Sequence, residues 1–422
     1  LLNLGYALLL YKKFGLDKVA IYLLIGLTLS FITLTIPVQF SGNNITMFWA
    51  VEAVLLMWLA QKSQIKSYRF AAVLVQLLML GSLLMDWIVY IETDAKLAIV
   101  ANPIFIGGMF VVASFVSVSY LLRNEIEKLH QFGFTFNPKH YKNFSSILAL
   151  IIGYLVGLFE VAYQSLTYFS FNSFLAISVL YHLLFTAILC FILYRNRTAA
   201  KDKIINTIAS LNIVGFTVLF ARIPFFELEE NIINGTHIRI AYYLHMLSIE
   251  LLVYFWYLIY ISNKTQKVFP VFNMNWTLWF SVFILVVLSS TEVILQGLQF
   301  INFSIDQGQI MDPYGTLSDM IYSSKYKIVK TGLPVLWGIL SFILLLLGIK
   351  KQVKTLRVIA LSLLGLTILK LFAYDISNVS ETGKIIAFIL LGVLILIISF
   401  VYQKIKLLVI EEDKPPKDDK ID

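Results

Sequence analysis

The sequence has a single cysteine, Cys190, in 422 residues. That excludes a disulfide within the chain and any site built from several thiolates. Histidine is also scarce: the five copies are dispersed, with no spacing that reads as a metal motif. Only 14% of residues are charged, against roughly 25% in an ordinary soluble domain. No polar stretch is long enough to fold alone. A glycine-rich nucleotide loop, a zinc motif and a nucleophile elbow are all missing. No cofactor or metal is therefore expected. A bis-histidine haem site from His182 and His245 is the one redox alternative.

What the chain does have is apolar sequence, at 59% of its residues. Runs of about 20 apolar residues recur from end to end, each long enough to cross a bilayer. They lack strand alternation, and backbone in lipid must bond to itself, so the fold class is all-α: a polytopic transmembrane helical bundle. We expect about 13 spans, near 1–11, 18–38, 45–61, 68–90, 98–122, 143–169, 173–194, 203–224, 238–261, 276–298, 329–349, 356–375 and 385–405. The multi-span domain is expected over 1–405, and residues 406–422, with Pro415-Pro416 between charges, as a disordered tail. The chain starts Leu1-Leu2-Asn3, so its numbering is expected to begin inside a longer protein.

The net charge of +8 does not argue for nucleic acid. In a membrane protein, excess Lys and Arg mark cytoplasmic turns. Basic turns fall at Lys12 to Lys18, Lys62 to Arg69, Arg123 to Lys142, Arg195 to Lys203, Lys264 to Lys267 and Lys350 to Arg357. Neutral or acidic turns alternate with them, including Glu227 to Glu230 and a long outer loop at 299–328. Lys325, Lys327 and Lys330 are exceptions on the outer side. This pattern places the C-terminus in the cytoplasm. Residues 123–142 read as a surface helix or linker.

Two helical hairpins share a layout. Trp49 and Arg69 are 20 positions apart, as are Trp337 and Arg357. Asp86 closes the first hairpin and Asp375 the second. A second echo is Glu160-Val161 with Gln164 against Glu292-Val293 with Gln296. In each, i,i+4 spacing puts Glu and Gln on one helix face.

Ionisable groups inside spans are the candidate site residues, because each costs roughly 2.5–3.5 kcal/mol at mid-helix on insertion scales. They are Glu52, Asp86, Glu160, His182, Arg222, His245, Glu250, Glu292, Lys370 and Asp375, joined by the polar, non-ionisable Gln164 and Gln296 beside two of the glutamates. Nearly all fall in the outer half of the bilayer. That segregation is explained by a water-accessible cavity open to the outer face. Asp86, Arg222 and Asp375 are also close enough to water to snorkel. Lys370 and Asp375 are about 140° apart around a helix, so Lys370 is expected to find a carboxylate on another span.

The stretches Ile36-Pro37-Val38-Gln39-Phe40, Trp49-Ala50-Val51-Glu52-Ala53, Leu356-Arg357, Leu369-Lys370 and Tyr374-Asp375 carry a resemblance, continued by Phe388 to Gly392 and Tyr402-Gln403. Together they resemble a bacterial family of predicted membrane proteins, domain of unknown function 2339, and this chain resembles the C-terminal part of a member. Lys384 stands where the pattern favours Arg. The resemblance implies a bacterial inner membrane and no particular chemistry. Three readings stay open. The first is a transporter or flippase-like protein handling an envelope substrate. The second is a membrane transferase acting on a lipid-linked donor, and the third a scaffold in an envelope assembly. The expected partners are membrane lipids and other envelope proteins, not nucleic acid.

Overall fold

The structure is a computed structural model. It describes residues 18–92, 96–131, 133–235, 240–265, 274–303, 313–371 and isolated positions from 374 to 399. The chain divides into two compact units, Leu1–His182 and Leu183–Asp422.

The first unit contains α1 (Lys18–Gln39), α2 (Asn43–Ser63), α3 (Ser67–Glu92), α4 (Pro103–Leu121) and α5 (Pro138–Tyr168). Helix α6 (Phe171–Arg195) begins in it and ends in the second unit. Helices α4 and α5 both start on an Asn-Pro pair. The side chains of Asn102 and Asn137 accept from the N–H groups of Phe105 and His140. The proline at the first helical position lacks an N–H that would have no helical partner there. Two cores hold the unit. Ala53, Met57, Ala72 and Val118 centre one, and Met79, Leu83, Val111 and Phe115 the other. Gly108 and Gly157 leave room for neighbouring side chains: an added Cβ would lie 2.6 Å from the Val156 side chain at Gly108 and would meet the Tyr181 hydroxyl at Gly157.

Between α4 and α5 the expected surface helix or linker is a short antiparallel hairpin, β1 (Leu129–Gln131) with β2 (Phe134–Phe136). Alternation in Phe134-Thr135-Phe136, with Gly133 at φ 76° in the turn, favours the hairpin. Phe136 is buried in the core of the unit.

The second unit contains α7 (Ala199–Gly215), α8 (Ile223–Ile233), α9 (Ile240–Thr265), α10 (Met274–Gln299), α11 (Pro313–Lys350) and α12 (Lys354–Lys370). A π-helical turn, Phe216–Phe220, follows α7, and the chain breaks at Arg222 before α8. The span expected at 203–224 is thus a discontinuous segment running to Ile233. Pro224 starts the next helix instead of ending the span, because a proline in the first helical turn costs no hydrogen bond.

The long outer loop expected at 299–328 is also corrected. Helix α11 starts at Pro313 and runs 38 residues, about 57 Å at 1.5 Å per residue. A bilayer core is about 30 Å thick, so the polar turns around Ser318, Asp319 and Lys325 extend beyond it. They dock on α8: Lys325 Nζ lies 3.5 Å from the centre of the Phe225 ring, and the Ser318 and Tyr322 hydroxyls donate to Glu229 at 3.2 and 3.4 Å.

Ten helices among the described residues are long and apolar enough to cross a membrane. Of the other three expected spans, 1–11 lies outside the described residues and 385–405 is described only at isolated positions. The third, at 356–375, is α12, with 17 residues. The two basic hairpin turns have one geometry: Gln64 and Gln352 both adopt the left-handed conformation, at φ 61° and 54°. In the second, Gly348 lets α11 meet α12, since an added Cβ would lie 2.9 Å from the Arg357 backbone nitrogen.

Candidate functional site

Glu160 is the best-anchored acid of the first unit. It lies on α5, only 4% exposed, at the end of the unit away from the basic turn. Its Oε2 accepts from the Tyr90 hydroxyl at 2.8 Å and the Asn102 amide at 2.7 Å. Its Oε1 accepts from the Val100 N–H at 2.8 Å and the Gln164 amide at 3.0 Å. Gln164 also approaches the carbonyls of Leu97 and Ala98, both at 3.4 Å. The segment 96–102 therefore closes over the carboxylate. To donate its N–H, Val100 sits at φ 62°, which a β-branched residue rarely adopts. Glu160 is desolvated but surrounded by donors, the arrangement that makes a buried carboxylate tolerable.

The other two candidate acids of this unit, Asp86 and Glu52, pair with hydroxyls. Asp86, on α3, accepts from Thr46 of α2 at 2.5 Å, and Thr46 in turn meets Ser82 at 2.6 Å. Glu52, 1% exposed, takes the Thr33 hydroxyl on one oxygen. Its other oxygen is buried with no hydrogen-bond partner among the described residues. His182 Nδ1 lies 2.9 Å from the Tyr154 hydroxyl.

In the second unit the centre is His245. Its Nε2 is 3.3 Å from Glu292 Oε1, joining α9 to α10. Its Nδ1 meets the Tyr242 carbonyl, so Nδ1 carries a proton there. Nε2 is buried and, although 3.3 Å from the carboxylate, makes no well-aligned hydrogen bond among the described residues. Gln296 Nε2 lies 3.5 Å from Glu292 Oε2. Glu227, 2% exposed on α8, is close enough to interact electrostatically with both His245 and Tyr242. The Tyr242 hydroxyl is fully buried with no hydrogen-bond partner among the described residues. The π-helical turn before α8 lies against α10, the helix that carries Glu292.

The remaining candidates divide. Lys370 was expected to reach a carboxylate; it donates to the Val329 carbonyl at 2.9 Å and lies 5.8 and 5.7 Å from the Trp337 and Tyr374 ring centres. Glu250 is exposed on α9, and Arg222 is exposed in the turn before α8. Asp375 lies outside the described residues. Among these residues no cluster of His, Cys, Asp and Glu could hold a metal.

Sequence reasoning missed Tyr90, Asn102 and Val100 around Glu160, and Glu227 and Tyr242 around His245. Glu227 was assigned to an acidic outer turn. Its recoverable signal was the spacing of Phe225, Leu228 and Asn231, one helical face that is buried in α8.

This architecture defines a polytopic α-helical membrane protein with buried polar centres in both units. The chain belongs to the DUF2339 family, described as predicted membrane proteins, whose profile matches residues 1–405. No curated protein and no solved structure matches the chain.

Proposed function

We propose that the chain is a transporter or flippase-like protein of the bacterial inner membrane, with its working centre at His245, Glu292 and Glu227. The observation that carries this reading is the His245–Glu292 pair at 3.3 Å, on helices packed beside a discontinuous span. A shared proton couples to movement when its two holders lie on different helices, and irregular backbone inside a membrane is tolerated only where protein or a cavity surrounds it. In this reading the substrate is a polar envelope component, and the first unit is a rigid frame. The C-terminus is cytoplasmic, following the basic turns.

The test uses the purified full chain in liposomes containing lipid-linked sugars. Exposure of the sugar to a membrane-impermeant oxidant is followed with and without an imposed pH gradient. The expected result is gradient-dependent exposure that Glu292→Gln abolishes. No gradient-dependent exposure, together with protection of a cysteine at 292 from aqueous labelling, overturns the proposal. That outcome favours the scaffold reading, which Glu160 supports: its four donors make it a structural tie.

A further inference from the structure

We propose that a cavity at the basic end of the first unit binds a zwitterionic headgroup with a phosphate and an ammonium, of the phosphoethanolamine type. The cavity measures about 540 Å³ and lies between the α2–α3 turn and the segment that follows α4, within the range of ~300–1,000 Å³ typical of ligand pockets. Its two walls carry opposite charge. Lys66 lines it from the turn and Arg69 from the start of α3, Glu125 and Glu127 from the segment after α4.

Arg69 is 8% exposed, and its guanidinium has one side-chain partner among the described residues, Glu125 at 2.9 Å. Glu125 is held in place by the Gln61 amide at 2.8 Å. A guanidinium has five N–H donors in a fixed fork. The ion pair therefore leaves donors on a charged, nearly buried group that faces open volume. This is the geometry that takes a phosphate in two parallel bonds. Lys66 and Glu127 are exposed at the walls with no partner among the described residues. A simple anion would satisfy Lys66 and be repelled by Glu127. A ligand with both charges satisfies both walls. Ile65 and Ile126 are among the apolar lining residues and suit the glycerol and first methylenes of a lipid. The site is independent of the His245 centre.

The experiment uses the full chain in phosphatidylglycerol nanodiscs and titrates in glycerophosphoethanolamine, read by thermophoresis. Saturable binding is expected, with glycerophosphate and ethanolamine each at least about tenfold weaker because each meets one wall only. Lys66→Gln should weaken binding about tenfold. Arg69→Gln should remove it, but Arg69 is also structural, so Ile126→Trp is the safer block: Ile126 is 87% exposed and can be enlarged without disturbing the core. Repeating the titration in phosphatidylethanolamine nanodiscs separates the two sources. Loss of binding there means that the membrane lipid fills the site, and retained binding means a soluble headgroup does. Either result supports the headgroup chemistry. Absence of saturable binding, equal binding of glycerophosphate, or binding unmoved by both Lys66→Gln and Ile126→Trp overturns it.

Discussion

Glu160 with Gln164 and Glu292 with Gln296 are the same pair in sequence, set in different surroundings. Glu160 receives four donors, from Tyr90, Val100, Asn102 and its own glutamine, and is 4% exposed. The Glu292 side chain is 28% exposed, meets a histidine at 3.3 Å and has its glutamine at 3.5 Å. The segment that follows each helix partner makes the difference. Residues 96–102 fold back over Glu160 and supply a backbone N–H. Facing Glu292 is His245, a titratable ring. A helix-borne Glu–Gln pair thus reports only that a polar partner exists. Whether the carboxylate ties a loop or faces a titratable ring depends on what packs above it.

The largest expected effect comes from removing each carboxylate. Glu160→Ala leaves several buried donors without an acceptor, at ~1–3 kcal/mol each, so a loss of about 3–6 kcal/mol is expected. Glu292→Ala should cost about 1 kcal/mol or less, because its surroundings are partly solvated. Denaturant unfolding of the purified full chain, followed by tryptophan fluorescence, measures both. A larger loss at 292 than at 160 would reverse the comparison.

Aqueous labelling sharpens it next. In a Cys190→Ser background, a cysteine at 292 should react with an impermeant maleimide at least about tenfold faster than one at 160, since reaction at the closed site waits on local opening. Equal rates would make both centres wet, or both dry.

How far such contrasts are legible in sequence follows from the range of each contact. The helices were readable because their apolar runs are local and exceed a bilayer's thickness. The pairing of Glu160 with Gln164 was readable for the same reason, being one turn apart. Tyr90 and Asn102 lie 70 and 58 positions from Glu160, and the Val100 donor is a backbone group that no residue type announces. The two misread segments failed on proline. The span expected to end at 224 and the loop expected at 299–328 each contain a proline, and proline also opens helices: α8 begins just before Pro224 and α11 at Pro313. Pairing across long separations needs a fold to bring it about.

Val100 offers a gentler probe of the closed site. Val100→Gly keeps the N–H that Glu160 needs and removes a β-branched side chain, 53% exposed, from φ 62°. A gain of about 1–2 kcal/mol in unfolding free energy is expected, since left-handed backbone costs an L-residue about that much. A loss would mean that the valine side chain, not its backbone, holds the 96–102 segment in place.

The smallest expected effect tests whether the two basic turns are equivalent even though the two carboxylate centres are not. Gln64 and Gln352 share the left-handed conformation at φ 61° and 54°. Glycine at either position relieves the same backbone strain, worth about 1 kcal/mol. Gln64 has more to lose, because its amide donates to the Gln61 carbonyl at 2.9 Å. That bond is solvent-exposed and contributes ~0.5 kcal/mol at most. Gln352→Gly should therefore stabilise the chain slightly more than Gln64→Gly, in the same unfolding assay. If Gln64→Gly destabilises while Gln352→Gly stabilises, the first turn is held by its side chain. The two hairpins would then share a backbone shape reached by different means, as the two Glu–Gln pairs share a sequence with different surroundings.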